Sequence, residues 1–95
     1  MGRAENAVET YLHKEVTKRG GTTRKWVSPG RPGVMDQLVF LPKRNVMLVE
    51  VKTLGKTLED HQAREARTLR AIGCNMEVTW VAGKAGVDAL LAGYL

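Results

Sequence analysis

Cysteine is nearly absent from this 95-residue chain: Cys74 is the single one, which excludes an internal disulfide framework. A reducing, intracellular and cytoplasmic setting is therefore expected. Cys74 has no His or Cys neighbour at zinc-ligand spacing and reads as a small buried apolar residue. The two histidines, His13 and His61, fall in no metal-ligand pattern and are expected at the surface without partners. No apolar run approaches the roughly 18 residues that a membrane span needs. The start Met1-Gly2-Arg3-Ala4-Glu5 has no apolar stretch of the kind a secretory leader carries. Repeats, linkers and low-complexity segments are missing too. With 43% hydrophobic and 26% charged residues, the composition lies well away from that of disordered chains.

What is present is one domain's worth of sequence with an excess of positive charge. Residues 1–95 are expected to form a single domain. A chain this short buries a limited share of its surface, so self-association would stabilise it. Fifteen Lys and Arg against ten Asp and Glu leave a net charge of +5. That balance suits an anionic partner, and nucleic acid is the commonest one.

Periodicity and breakers divide the chain into seven elements. Val8, Tyr11, Leu12 and Val16 repeat at helical spacing within residues 4–19, and Gly20-Gly21 closes that helix. Thr22, Thr23, Trp26 and Val27 suit a short strand over 22–28. The run Ser28-Pro29-Gly30-Arg31-Pro32-Gly33 is a loop. Strands over 34–41 and 46–53 follow, joined through Pro42-Lys43-Arg44-Asn45 as a hairpin. The second of these, Val46-Met47-Leu48-Val49-Glu50-Val51, is apolar on both faces up to Glu50, as in a central strand covered from both sides. Thr57, with Asp60 three residues on, caps a helix that runs to Ile72 and stops at Gly73. A strand over 75–81 and a short helix over 85–94 complete an αβββαβα order, an α/β fold with a mixed four-stranded sheet.

The chemistry gathers at one end of the hairpin. Strand periodicity puts Glu50 and Lys52 on the same face. Pairing Leu41 with Val46 sets Asp36 opposite Val51, and a one-residue bulge would set it opposite Glu50. Two carboxylates this close repel unless a cation or proton lies between them. Oxygen ligands with open water positions suit Mg²⁺, with Mn²⁺ able to substitute. Such an ion polarises a phosphoryl oxygen and acidifies its water, while a lysine offsets developing charge. A Glu and a Lys two apart on a strand also describe a plain surface ion pair, worth about 0 to 1 kcal/mol. Charges at the end of an apolar central strand, however, are costly to bury without a task. Gln62 interrupts the inward stripe of Leu58, Ala66, Leu69 and Ile72, either as a core glutamine bonded to backbone or as a site residue beside Lys52. Glu5 and Glu15 both fall within the apolar stripe of the first helix, and Glu9 at its edge, so the pattern leaves open which of them faces the site. Arg24, Lys25, Arg31, Lys43, Arg44 and Lys56 flank the surrounding loops, and Arg64, Arg67 and Arg70 lie on the outer faces of the second long helix. They are candidates for phosphate contacts.

Asp36, followed after thirteen residues by Glu50-Val51-Lys52, resembles the D…(D/E)-x-K motif of the PD-(D/E)XK nucleases. With Glu5, the segment Ser28 to Asp36, and Gln62, the chain is similar more narrowly to the virus-type replication-repair nuclease (VRR-NUC) domains, over nearly its whole length. That family usually has proline where this sequence has Met35. The resemblance implies a restriction-endonuclease-like fold. It implies a divalent ion, Mg²⁺ or Mn²⁺, held by Asp36, Glu50 and the carbonyl of Val51, with Glu5 completing the site. Lys52 would be the catalytic lysine and Gln62 its support. It further implies a phage or bacterial homodimer that cuts branched DNA, including four-way (Holliday) junctions. Two sites about a two-fold axis would match such a junction. The alternative from a different class is a non-catalytic nucleic-acid-binding module on the same basic surface. Against it stands the carboxylate pair, which repels phosphate unless a metal intervenes.

Overall fold

The computed structural model of the chain describes residues 3–27, 30, 35–43 and 45–94. Seven elements follow in the order α1 (Arg3–Lys18), β1 (Thr22–Lys25), β2 (Gln37–Leu41), β3 (Asn45–Lys52), α2 (Asp60–Ile72), β4 (Glu77–Ala82) and α3 (Gly83–Leu91). The strands form one sheet in the order β1-β2-β3-β4. The first two pairings are antiparallel and β3 with β4 is parallel. The mixed four-stranded sheet and the αβββαβα order are those expected from the sequence.

Alternation along β3 explains the two layers of core. Met47, Val49 and Val51 point to one face, where Val8, Leu12 and Val16 of α1 and Val87 and Leu91 of α3 cover them. Leu48 points to the other face and packs with Ala66 of α2, Val78 of β4 and Met35. The turn from α1 into β1 needs glycine twice. Gly20 has φ 87°, and a Cβ on Gly21 would run into the carbonyl oxygen of Phe40.

Several local expectations change. β1 ends at Lys25 and β2 begins at Gln37; Ser28 and Val34 lie outside the described residues. Leu41 pairs with Asn45 rather than Val46, leaving three residues in the hairpin loop. Lys43 adopts the left-handed region at φ 65°, and the Asn45 side chain donates to the Pro42 carbonyl at 2.9 Å. The N-cap of α2 is Glu59, not Thr57. Ile72 is 70% exposed instead of inward, and Cys74 is exposed instead of buried. His13 and His61 do have partners: His13 Nδ1 lies 2.7 Å from Thr23 Oγ1, and His61 Nδ1 lies 3.5 Å from a Glu59 oxygen. β4 covers residues 77–82, and α3 begins at Gly83 and ends at Leu91.

Candidate active site

The hairpin register decides where the acidic groups meet. Its last pair is Gln37 with Val49. One step further along the same register, Asp36 faces Glu50 without any bulge. From Glu50 onward β3 keeps only its β4 neighbour, since Val51 pairs with Val81 and Lys52 with Ala82. The sheet therefore opens between β2 and β3 where the two carboxylates stand. Trp26 N–H donates to the Asp36 carbonyl at 2.8 Å, which carries the β1–β2 ladder one residue beyond the strands. Met35, next to it, is fully buried against Leu48, Ala66 and Val78. The residue that replaces the usual proline thus anchors Asp36 through the core.

Glu50 and Lys52 share the α2 face with Leu48. The Lys52 ammonium lies 3.7 Å from Glu50 Oε2, and both side chains are nearly buried, at 11% and 13% exposed. Gln62 of α2 donates from Nε2 to the same Glu50 oxygen at 3.1 Å, while its Oε1 accepts the backbone N–H of Glu59 at 3.0 Å. As the third residue of α2, Gln62 thus satisfies an otherwise open helix-end donor and orients the carboxylate with its other end. Burial, and after it the charge of Asp36, push the Glu50 carboxyl up to about 7 against the opposing pull of Lys52 and Gln62.

From the opposite face, α1 contributes two acids. Glu5 adds its charge to both Glu50 and Glu9. Glu9, one helical turn later, is raised above the usual carboxylate range by burial, with Lys25 opposing. Its side chain also bonds the buried Gln37. Lys25 Nζ lies 3.5 Å from Asp36 Oδ2 and 3.9 Å from Glu9 Oε2. Glu15 belongs elsewhere, paired with Lys18 at 3.0 Å and Arg19 at 3.2 Å. The sequence left open which of Glu5, Glu9 and Glu15 faces the site, and the structure brings Glu5 and Glu9 there. Gln37 escaped the sequence reading, and its register position next to Asp36 was the signal.

Four carboxylates (Glu5, Glu9, Asp36, Glu50) thus face two ammonium groups (Lys25, Lys52), a surplus of two negative charges. Burial first, and the charges of Asp36 and Glu5 after it, disfavour the Glu50 carboxylate, and a divalent cation would relieve both, so the residues present fit one. Among the described residues no three His, Cys, Asp or Glu groups are arranged to hold an ion by themselves. Asp36 and Glu50, completed by water, would be the donor set, which suits Mg²⁺.

The basic residues divide. Arg24 folds back on its own strand, donating to Thr22 Oγ1 at 2.6 Å and to the Thr23 carbonyl at 2.8 Å. Arg70 donates to the Val78 carbonyl at 2.8 Å and so braces α2 on the sheet. Lys56, Arg64 and Arg67 are exposed. Arg31 and Arg44 lie outside the described residues.

Comparison with known proteins bears on the family and the fold. No family model matches the chain. A curated protein named "Putative nuclease p44", from Acyrthosiphon pisum secondary endosymbiont phage 1, is 45% identical over 69 residues, which make up 73% of this chain and 74% of that one. A solved structure described as a VRR_NUC domain superposes with a TM-score of 0.82 at 33% identity, covering 99% of this chain and 100% of the other. The chain belongs to the VRR_NUC family. A second VRR_NUC domain protein shares the fold alone, with a TM-score of 0.70 at 11% identity over 100% of this chain and 90% of its own. The VRR_NUC fold accounts for the arrangement of the sheet and its helices. No helix of the described residues is long and apolar enough to cross a membrane.

Proposed function

We propose that this VRR_NUC protein is a divalent-metal-dependent endonuclease that hydrolyses phosphodiester bonds in branched DNA, four-way junctions above all, as a homodimer. The family and the phage relative named as a nuclease support the nuclease reading. The observation that carries it is Glu50, held by Lys52 and Gln62 yet nearly buried and facing the charge of Asp36.

In this reading Asp36, Glu50 and the Val51 carbonyl would hold the ion, and Glu5 and Glu9 would add negative charge to the site. A bound Mg²⁺ or Mn²⁺ supplies a polarised phosphoryl oxygen and an acidified water. Lys52, fixed by burial beside Glu50, offsets the charge that grows on the phosphate. Gln62 keeps the Glu50 carboxylate turned toward Asp36. Exposed Lys56 and the basic loop residues give the DNA backbone positive contacts. Support for the dimer comes from the α2 side of the sheet. There Trp26, Leu38, Leu48, Ile72 and Met76 line an open, wholly apolar groove of about 310 Å³.

A cleavage panel in Mg²⁺ tests this reading, comparing single strands, duplex, flaps and four-way junctions. Paired nicks in the junction are expected from the wild type. Loss of cutting by at least about a thousandfold is expected from Lys52→Ala and from Asp36→Asn. Steep salt-dependent binding with no cutting in either Mg²⁺ or Mn²⁺ would establish a binding module instead.

A further inference from the structure

Lys25 takes up a position that the DNA-contact role does not explain. It is the last residue of β1, the edge strand, and its Cα partner is Gln37, the neighbour of Asp36. Its ammonium reaches over the end of the sheet to stand 3.5 Å from Asp36 and 3.9 Å from Glu9. Both separations exceed the usual N–H···O range, so these are ion pairs without a formed hydrogen bond, and they exchange easily. Glu9 Oε2 is buried and has no hydrogen-bond partner among the described residues, so the Lys25 charge is its main compensation. Yet the Lys25 side chain is 51% exposed, so its ammonium has solvent to turn into. Lys52, at 11%, has no such freedom.

We propose that Lys25 is the resident counter-ion of Glu9 and Asp36 in the metal-free protein, and that it moves to a DNA phosphate when a divalent ion takes Asp36. The inference rests on the metal reading above. A divalent ion on Asp36 supplies the charge that Lys25 had provided and repels the ammonium at this range. The released lysine, at the sheet edge beside the opening between β2 and β3, is then within reach of a phosphate bound at the ion. Metal loading and DNA grip become coupled: the empty site holds its own lysine back, and the loaded site lends it to the DNA.

Calorimetric titration with Mn²⁺, without DNA, tests the first half on wild type, Lys25→Met and Lys14→Met. The last removes an equal charge from an exposed position on α1. Lys25→Met is expected to bind Mn²⁺ about tenfold more tightly than wild type, and Lys14→Met within about twofold of it. Equal or weaker binding by Lys25→Met overturns the proposal while leaving the nuclease reading intact. A wild type that binds no Mn²⁺ overturns both. The second half is read from duplex binding across a salt series, in Ca²⁺ and in EDTA. Lys25→Met should flatten the log–log salt slope by about one unit in Ca²⁺ and leave it unchanged in EDTA. Equal flattening in both conditions overturns the release step.

Discussion

The two carboxylates at the centre of the site are held in opposite ways. Glu50 stands on a central strand, almost buried, with Lys52 locked at its side and Gln62 bonded to it from α2. Asp36 stands one residue before its strand, partly exposed, with a half-exposed lysine from the sheet edge as its cation. The Glu50 half is built before any ligand arrives. The Asp36 half is fixed only through its backbone and through Met35 beneath it, and its charge partner is replaceable. In the metal site proposed above, this division would let Glu50 set the geometry while Asp36 adjusts to the ion.

The sharpest way to break the contrast is to remove the anchor beneath Asp36. Met35→Ala leaves a cavity between Leu48, Ala66 and Val78 and is expected to lower stability by about 2–5 kcal/mol, read from denaturant unfolding. Cutting by the remaining folded protein should fall as well, because Asp36 loses its footing. Met35→Leu, which conserves volume, should cost less than about 1.5 kcal/mol. Little loss in Met35→Ala would mean that Asp36 is held by something other than the core.

On the Glu50 half, Gln62→Ala is expected to cut metal affinity and cleavage by about 10- to 100-fold, as loss of an orienting partner does. Stability should drop by only about 1 kcal/mol, for the helix-end bond to Glu59. A variant that loses stability but keeps its metal affinity would reduce Gln62 to a capping residue.

A further effect is on pH dependence. Glu50 is raised from 4.5 to about 7 in the folded protein, so folding binds a proton between those values. Without metal, the stability that the neutral carboxyl preserves is fully present below about pH 4.5 and is lost as pH rises through about 7. Glu50→Gln should flatten that slope, and saturating Mg²⁺ should oppose it by favouring the carboxylate. Unfolding curves at several pH values in EDTA, with and without the substitution, give the answer. Parallel curves would contradict a Glu50 carboxyl raised by burial.

Much of this was legible in the residues, and the exceptions have physical causes. Element order followed from hydrophobic periodicity and from glycine and proline, which act over a few neighbouring positions. The hairpin register missed by one because a three-residue loop with Lys43 in the left-handed region carries no glycine to mark it. The start of α2 slipped because Thr57 with Asp60 and Glu59 with Gln62 are both acceptable capping pairs. Tertiary packing chose the second, since it lets Gln62 reach Glu50 as well. Asp36, Glu50 and Lys52 could be brought together from strand pairing alone. Glu9 and Lys25 could not, because their meeting depends on how α1 lies across the sheet and how far β1 extends beyond Thr23.

Crystals of the protein soaked in Mn²⁺ and measured at the manganese absorption edge test the central claim most directly. The account predicts one ion shared by Asp36, Glu50 and the Val51 carbonyl, with Lys52 still beside Glu50 and Lys25 withdrawn from Asp36. Saturating Mn²⁺ with no peak between these two carboxylates would contradict it.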